Sequence, residues 1–189
     1  LVMPGVGTRQ YDADDFFAHV ELCDSVRASI VATMPLKPYD VVHLRGGSKR
    51  WCGGTVPHAD LDARIHDAWP TRETYFGFME WKRDFMLRGL DKAPLYIVSD
   101  HAELAQEWKE QHGGTLMPAC RPALRESGIH KVPPRDLAVP KSLLTYEALR
   151  DFVLMLNARR CIGDGISLFS FMAQSLALHM DEASGWWFP

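Results

Sequence analysis

The sequence lacks any Cys-x-x-Cys pair. Its four cysteines stand at 23, 52, 120 and 161, a spacing that forms neither a zinc knuckle nor a thioredoxin-like redox pair. They read as reduced thiols. No apolar run approaches the length needed to span a bilayer, so no transmembrane segment is expected. No signal peptide shows at the N-terminus, and with the thiols this points to a cytoplasmic or membrane-peripheral protein. There is no internal repeat and no low-complexity block. A net charge of -3 leaves no global drive toward nucleic acid, and no nucleic-acid partner is expected. The lysine of a phosphate-binding P-loop is missing, as is the full Gly-x-Gly-x-x-Gly dinucleotide fingerprint. His58 and Asp60 form a compact His/acid pair near the candidate loops, and one pair is too few ligands for a metal.

What is present is ordinary globular composition. Apolar residues make up 47% of the 189-residue chain and charged residues 24%, enough for a core without disulfides or metal. The chain reads as a single α/β domain over residues 1–189. Phe16, Val20, Cys23, Val26 and Ile30 recur at helical spacing, predicting a helix over 12–33. The stretch 39–44 reads as a buried strand, and helices are expected over 59–68 and 71–89. Thr71 is placed to cap the second of these and Gly89 to end it. A strand is expected over 94–99, a helix pairing Leu104 with Trp108 over 101–112, and a short strand over 115–118. After a loop of roughly 25 residues, Leu144, Ala148, Leu149, Phe152, Val153 and Leu156 predict an amphipathic helix over 144–157. A strand over 158–162 and a helix over 168–180 follow, and the tail Trp186-Trp187-Phe188-Pro189 is aromatic. Strands alternating with helices imply a mostly parallel sheet with helices on both faces. Ligands of such sheets bind beyond the carboxyl ends of the strands.

Three strand ends carry candidate chemistry. The first is His43-Leu44-Arg45-Gly46-Gly47-Ser48-Lys49-Arg50. The glycines let backbone amides approach a ligand, and a guanidinium at Arg45 suits bidentate contact with a diphosphate. The second is Gly163-Asp164-Gly165-Ile166-Ser167, a glycine turn opening a helix, where free amides favour an anion. Ser167 and Ser170 add hydroxyl donors, but Asp164 or Ser167 could equally act as a plain helix cap. The third is Ser99-Asp100-His101, where Asp100 is placed to accept hydrogen bonds from a ribose or a base. Capping of the next helix by Ser99 or Asp100 is the simpler alternative. A parallel sheet brings all three ends to one edge.

The run Tyr39-Asp40-Val41-Val42-His43-Leu44-Arg45-Gly46-Gly47 resembles the His-x-Arg motif of inverting fucosyltransferases and their relatives. Tyr96-Ile97-Val98-Ser99-Asp100-His101 resembles their strand ending in Ser/Thr-Asp, and Ser167-Leu168-Phe169-Ser170 their Ser-x-Phe-Ser segment. The order fits over residues 12–180. The resemblance implies the donor-binding, Rossmann-like half of a GT-B glycosyltransferase. Arg45 would contact the donor β-phosphate with His43 near the donor, and these two are the candidate catalytic residues. Gly46, Gly47, Asp100, Ser167, Phe169 and Ser170 would line the nucleotide-sugar pocket, with Asp100 facing guanine or ribose. The implied substrate is a GDP-sugar of the GDP-fucose type, with no other cofactor. The implied acceptor is a hydroxyl of a glycan or protein. An N-terminal half domain or partner chain would supply the acceptor side, and a start at Leu1 fits a fragment of a longer enzyme. The family motif often continues Arg-Gly-Asp; here it continues Gly46-Gly47-Ser48, followed by the positive charges of Lys49 and Arg50.

Two other classes compete. A serine hydrolase would use Ser167 with His179 and either Asp164 or Asp181. A nucleophile elbow requires Gly-x-Ser-x-Gly, whereas Phe169 holds the last position, and His179 would lie some 18 Å along the same helix. A non-catalytic nucleotide- or sugar-binding domain of the same fold is the stronger alternative, with Trp186, Trp187 and Phe188 as a possible docking tail.

Overall fold

A computed structural model describes residues 23–45, 71–117, 137, 139–165 and 167–179 of the chain. The chain forms two compact units, Leu1–Met34 with Glu182–Pro189, and Pro35–Asp181. In the first unit the described element is helix α1, Asp24–Val31, the C-terminal part of the helix expected over 12–33.

The second unit is a Rossmann-like α/β layer structure. Its elements run β1 (Asp40–Leu44), α2 (Arg72–Leu87), β2 (Leu95–Ser99), α3 (Ala102–His112), β3 (Thr115–Leu116), α4 (Lys141–Leu156), β4 (Arg160–Ile162) and α5 (Leu168–His179). The strands form one sheet in the order β3-β2-β1-β4. All pairings are parallel, with Leu44 opposite Ser99 and Val42 opposite Ile162. β1 is therefore central, and the carboxyl ends of β1, β2 and β4 share one edge. The helix expected over 59–68 and the aromatic tail lie outside the described residues.

Strand alternation sorts the core into two faces. Val42, Leu44, Ile97 and Ile162 join Tyr75, Phe76 and Met79 of α2 and Leu104, Ala105 and Trp108 of α3 in one buried cluster. On the other face His43 meets Phe169 of α5, and the buried Tyr39 hydroxyl donates to the Leu154 carbonyl of α4. Local signals explain the ends of α2. Thr74 N–H donates to Thr71 Oγ1 at 3.3 Å, and Thr71 N–H donates to Thr74 Oγ1 at 3.1 Å, a reciprocal capping box. Beyond the helix, Gly89 adopts φ +76°, which a side chain would resist.

Helix α4 departs from expectation. It begins after Pro140 rather than at 144, and its charged residues Glu147, Arg150 and Asp151 are buried along with Leu144, Val153, Leu154 and Met155. Arg150 donates to Asp151 Oδ1 through both Nε and Nη2, at 3.2 and 2.8 Å. A helix enclosed on several sides must bury polar positions as well, and pairing offsets part of that desolvation. Asp40, 1% exposed, is likewise gripped by Nε and Nη2 of Arg159, at 3.0 and 2.6 Å. This fork ties the start of β1 to the residue preceding β4.

Gly163 follows β4 where both faces close on the backbone. Lys82 of α2 donates to its carbonyl at 2.5 Å, and a Cβ built there would stand 2.6 Å from Ser170 Cβ. Gly163→Ala should therefore cost about 1–3 kcal/mol through overpacking. A urea midpoint equal to that of the wild type would show that α5 does not sit against this turn.

The core also limits the alkaline range. Burial pushes the Cys161 thiol from 9.0 up to about 12, and it raises the Tyr39 phenol as well. Both groups hold their protons longer in the folded than in the unfolded chain, so unfolding releases protons at high pH. Their contribution to stability is fully present below about pH 9 and is lost as pH rises toward about 12. The fall in urea midpoint between about pH 8 and about pH 10.5 should shrink in Cys161→Ala. An unchanged fall would remove Cys161 from the account.

Candidate functional site

The sheet edge formed by the ends of β1, β2 and β4 carries most of the described candidate residues. Leu44 pairs with Ser99 in register, so the next residues, Arg45 and Asp100, emerge side by side. They form an ion pair, Arg45 Nη1 to Asp100 Oδ2, at 2.5 Å. The two side chains are 42% and 27% exposed, so the pair is reachable from solvent. Two residues singled out from separate motifs thus meet directly. The consequence is electrostatic: the cation suited to a diphosphate is held by the carboxylate suited to a ribose.

Behind the pair the strand ends are anchored from both faces. The Arg45 N–H donates to the hydroxyl of the buried Tyr75 on α2 at 3.0 Å. Sequence reasoning passed over Tyr75. Its signal was a tyrosine on the inward side of an aromatic helix, since a buried phenol needs a partner. His43 is only 2% exposed, with its ring 5.6 Å from that of Phe169, which also packs on Phe152 at 5.4 Å. His43 therefore lies within the layer beneath the edge rather than at its surface.

At the end of β2, helix capping falls to neither Ser99 nor Asp100. His101 is the N-cap of α3: the Leu104 N–H donates to its Nδ1 at 3.3 Å. The Ser99 hydroxyl accepts from the His101 N–H at 3.0 Å, which shapes the turn. This division of labour leaves the Asp100 carboxylate directed at Arg45.

At the end of β4 the capping alternative describes what is seen. The Asp164 carboxylate, 3% exposed, accepts from the Ser167 N–H at 2.8 Å. Ser167 is buried, and its carbonyl accepts from the Phe171 N–H. The Ser170 hydroxyl is fully buried and donates to the Ser167 carbonyl at 3.2 Å. These serines serve the helix start, and Asp164 places a negative charge at the positive end of α5. The same bond accounts for Asp164 without a catalytic relay, and the ordered span of α5 sets His179 at the opposite end of the helix from Ser167.

Gly46, Gly47, Lys49, Arg50, His58 and Asp181 lie outside the described residues. Among the described residues no group of three or more His, Cys, Asp or Glu is arranged to hold a metal ion. Among them, too, no helix is long and apolar enough to cross a membrane. Comparison with protein-family models, with curated proteins and with solved structures gives no match for this chain, so its own geometry carries the functional reading.

Proposed function

We propose that the sheet edge at Arg45 and Asp100 binds a nucleotide-sugar donor of the GDP-fucose type and supports metal-independent, inverting glycosyl transfer to a hydroxyl acceptor. The observation that carries this reading is the meeting of Arg45 and Asp100 at 2.5 Å across two adjacent parallel strand ends. An arginine for the diphosphate and a carboxylate for ribose or guanine are the two contacts such a donor needs there. Binding is an exchange of partners. The guanidinium turns from Asp100 to the phosphates, and the carboxylate is released to accept from ribose or base donors. When the glycosidic bond breaks, charge builds on the departing diphosphate, and Arg45 stabilises it. Tyr75 holds the Arg45 backbone while this happens. His43 is buried, so in this reading it sets the strand end from beneath.

A second reading, donor binding without turnover, is favoured by Asp164. Its carboxylate already occupies the amide at the start of α5. A diphosphate would meet that negative charge instead of an open helix N-terminus, which leaves Arg45 with a larger share of the stabilisation.

Calorimetric titration with GDP, GDP-fucose and UDP tests the binding common to both readings. Micromolar binding of the two guanine ligands, weaker for UDP, is the expected result. Release of GDP from GDP-fucose then separates transfer from binding alone. Absence of binding by all three withdraws both readings and leaves the α/β domain.

A further inference from the structure

Helix α2 presents an unusual outer face. Trp81 and Phe85 are 60% and 62% exposed. Their rings are stacked, 5.7 Å apart and 18° from coplanar, and Phe78 stands 6.0 Å from Trp81. Gly77 lies one turn before Trp81 on the same face, and a Cβ built there would meet nothing within 4 Å. A projecting aromatic pair thus sits beside an open notch. Single exposed apolar residues are ordinary on a protein surface, but a contiguous aromatic patch marks an interaction site.

The pattern is complementary to itself. In an antiparallel pairing of two α2 helices about a two-fold axis at Trp81, a residue n positions after Trp81 lies level with one n positions before it. Phe85 is then level with Gly77 of the second copy. With the helical repeat of 100° per residue, it enters the hole bounded by Thr74, Gly77, Phe78 and Trp81 of that copy, a knob in a four-residue hole. The missing side chain at Gly77 deepens the hole. One turn further out, Arg88 is level with Thr74 of the second copy, which places it beside the adjacent Glu73. Both are exposed, and each lies just beyond the aromatic patch at opposite ends of α2. The symmetry makes this opposite-charge contact twice. An isologous interface needs one patch that fits its own image, and this face has both the shape and the charge order.

We propose that the outer face of α2 is a self-association surface, and that its occupant is the α2 helix of a second copy of this chain, antiparallel and centred on Trp81. One helix face on each side makes a small interface, so the dimer is weak and reversible. The surface is distinct from the Arg45–Asp100 edge: Glu73, Gly77, Trp81, Phe85 and Arg88 are exposed, whereas α2 meets the sheet through Tyr75, Phe76 and Met79, with Phe78 at the border between the two sides.

Sedimentation velocity of the full chain from about 1 µM to about 200 µM should show a concentration-dependent monomer–dimer equilibrium. Phe85→Ala should weaken the dimer at least about tenfold, since the change occurs twice. Glu73→Arg and Arg88→Glu should each weaken it by setting like charges together, and combining them should restore it, because the pair is re-formed with its signs exchanged. All three positions are exposed, and unchanged circular dichroism verifies that each variant is folded. A chain that stays monomeric at about 200 µM overturns the proposal. So does a dimer that the single charge reversals leave intact, or one that the double reversal fails to restore.

Discussion

Replacing Arg45 by Ala is expected to weaken GDP binding by about tenfold to a hundredfold, the scale of losing charge-assisted hydrogen bonds. Asp100→Asn separates the two functions proposed for its carboxylate. As the partner of Arg45 it competes with the ligand, so its neutralisation should tighten binding of inorganic pyrophosphate, which carries neither ribose nor base. As a contact for ribose or guanine it assists the ligand, so the same change should weaken GDP relative to pyrophosphate. Calorimetry with both ligands on both variants reads these effects separately. Pyrophosphate affinity unchanged in Asp100→Asn would mean that the ion pair at 2.5 Å does not restrain Arg45. Equal GDP affinity in wild type and Arg45→Ala would remove the arginine from the site.

Trp108→Ala should be the most destabilising single change in the sheet's α2/α3 face. The indole is fully buried. Phe76 meets it edge-on with ring centres 5.4 Å apart, His112 lies 4.2 Å away, and the Arg83 guanidinium sits 6.0 Å from the ring centre. Truncation removes the common partner of all three and leaves a cavity, at a cost of about 3–5 kcal/mol. For a chain of this size that corresponds to a fall in Tm of about 10 °C or more. Trp108→Phe should cost far less than that. It keeps a ring for Phe76 and His112, and the indole N–H it removes has no hydrogen-bond partner among the described residues, so no bond is lost. Thermal melts of the two variants check the order. Similar melting of Trp108→Ala and wild type would mean that α2 and α3 are not held through this cluster.

Much of the architecture was legible because it rests on local chemistry. The apolar run 39–44 became the central strand, and Thr71 and Gly89 ended their helix through a capping box and a positive φ. Leu104 and Trp108 came inward together on α3. Even the convergence of separate motifs followed from the sequence, since alternating strands and helices imply a parallel sheet with its carboxyl ends on one side. The outward aromatics of α2 were readable only as an aromatic side. Whether Trp81 and Phe85 faced the core or solvent depended on which face the sheet took, and it took the face of Tyr75, Phe76 and Met79.

Propensity, caps and periodicity act over a few residues, and they set the α/β order, the strand ends and the residue types delivered there. The tertiary structure alone decided which of those residues face each other. Register put Arg45 beside Asp100 and joined two separately proposed ligand contacts in one ion pair. His101, and not its neighbours, took the cap of α3, and Asp164 closed the start of α5 that looked open to an anion. Helix α4 buried Glu147, Arg150 and Asp151, none of which belongs to the apolar face that its spacing predicted. Each of these outcomes depends on charges and volumes brought together from distant parts of the chain, and pairing energies between such groups leave no mark on the local pattern of either partner.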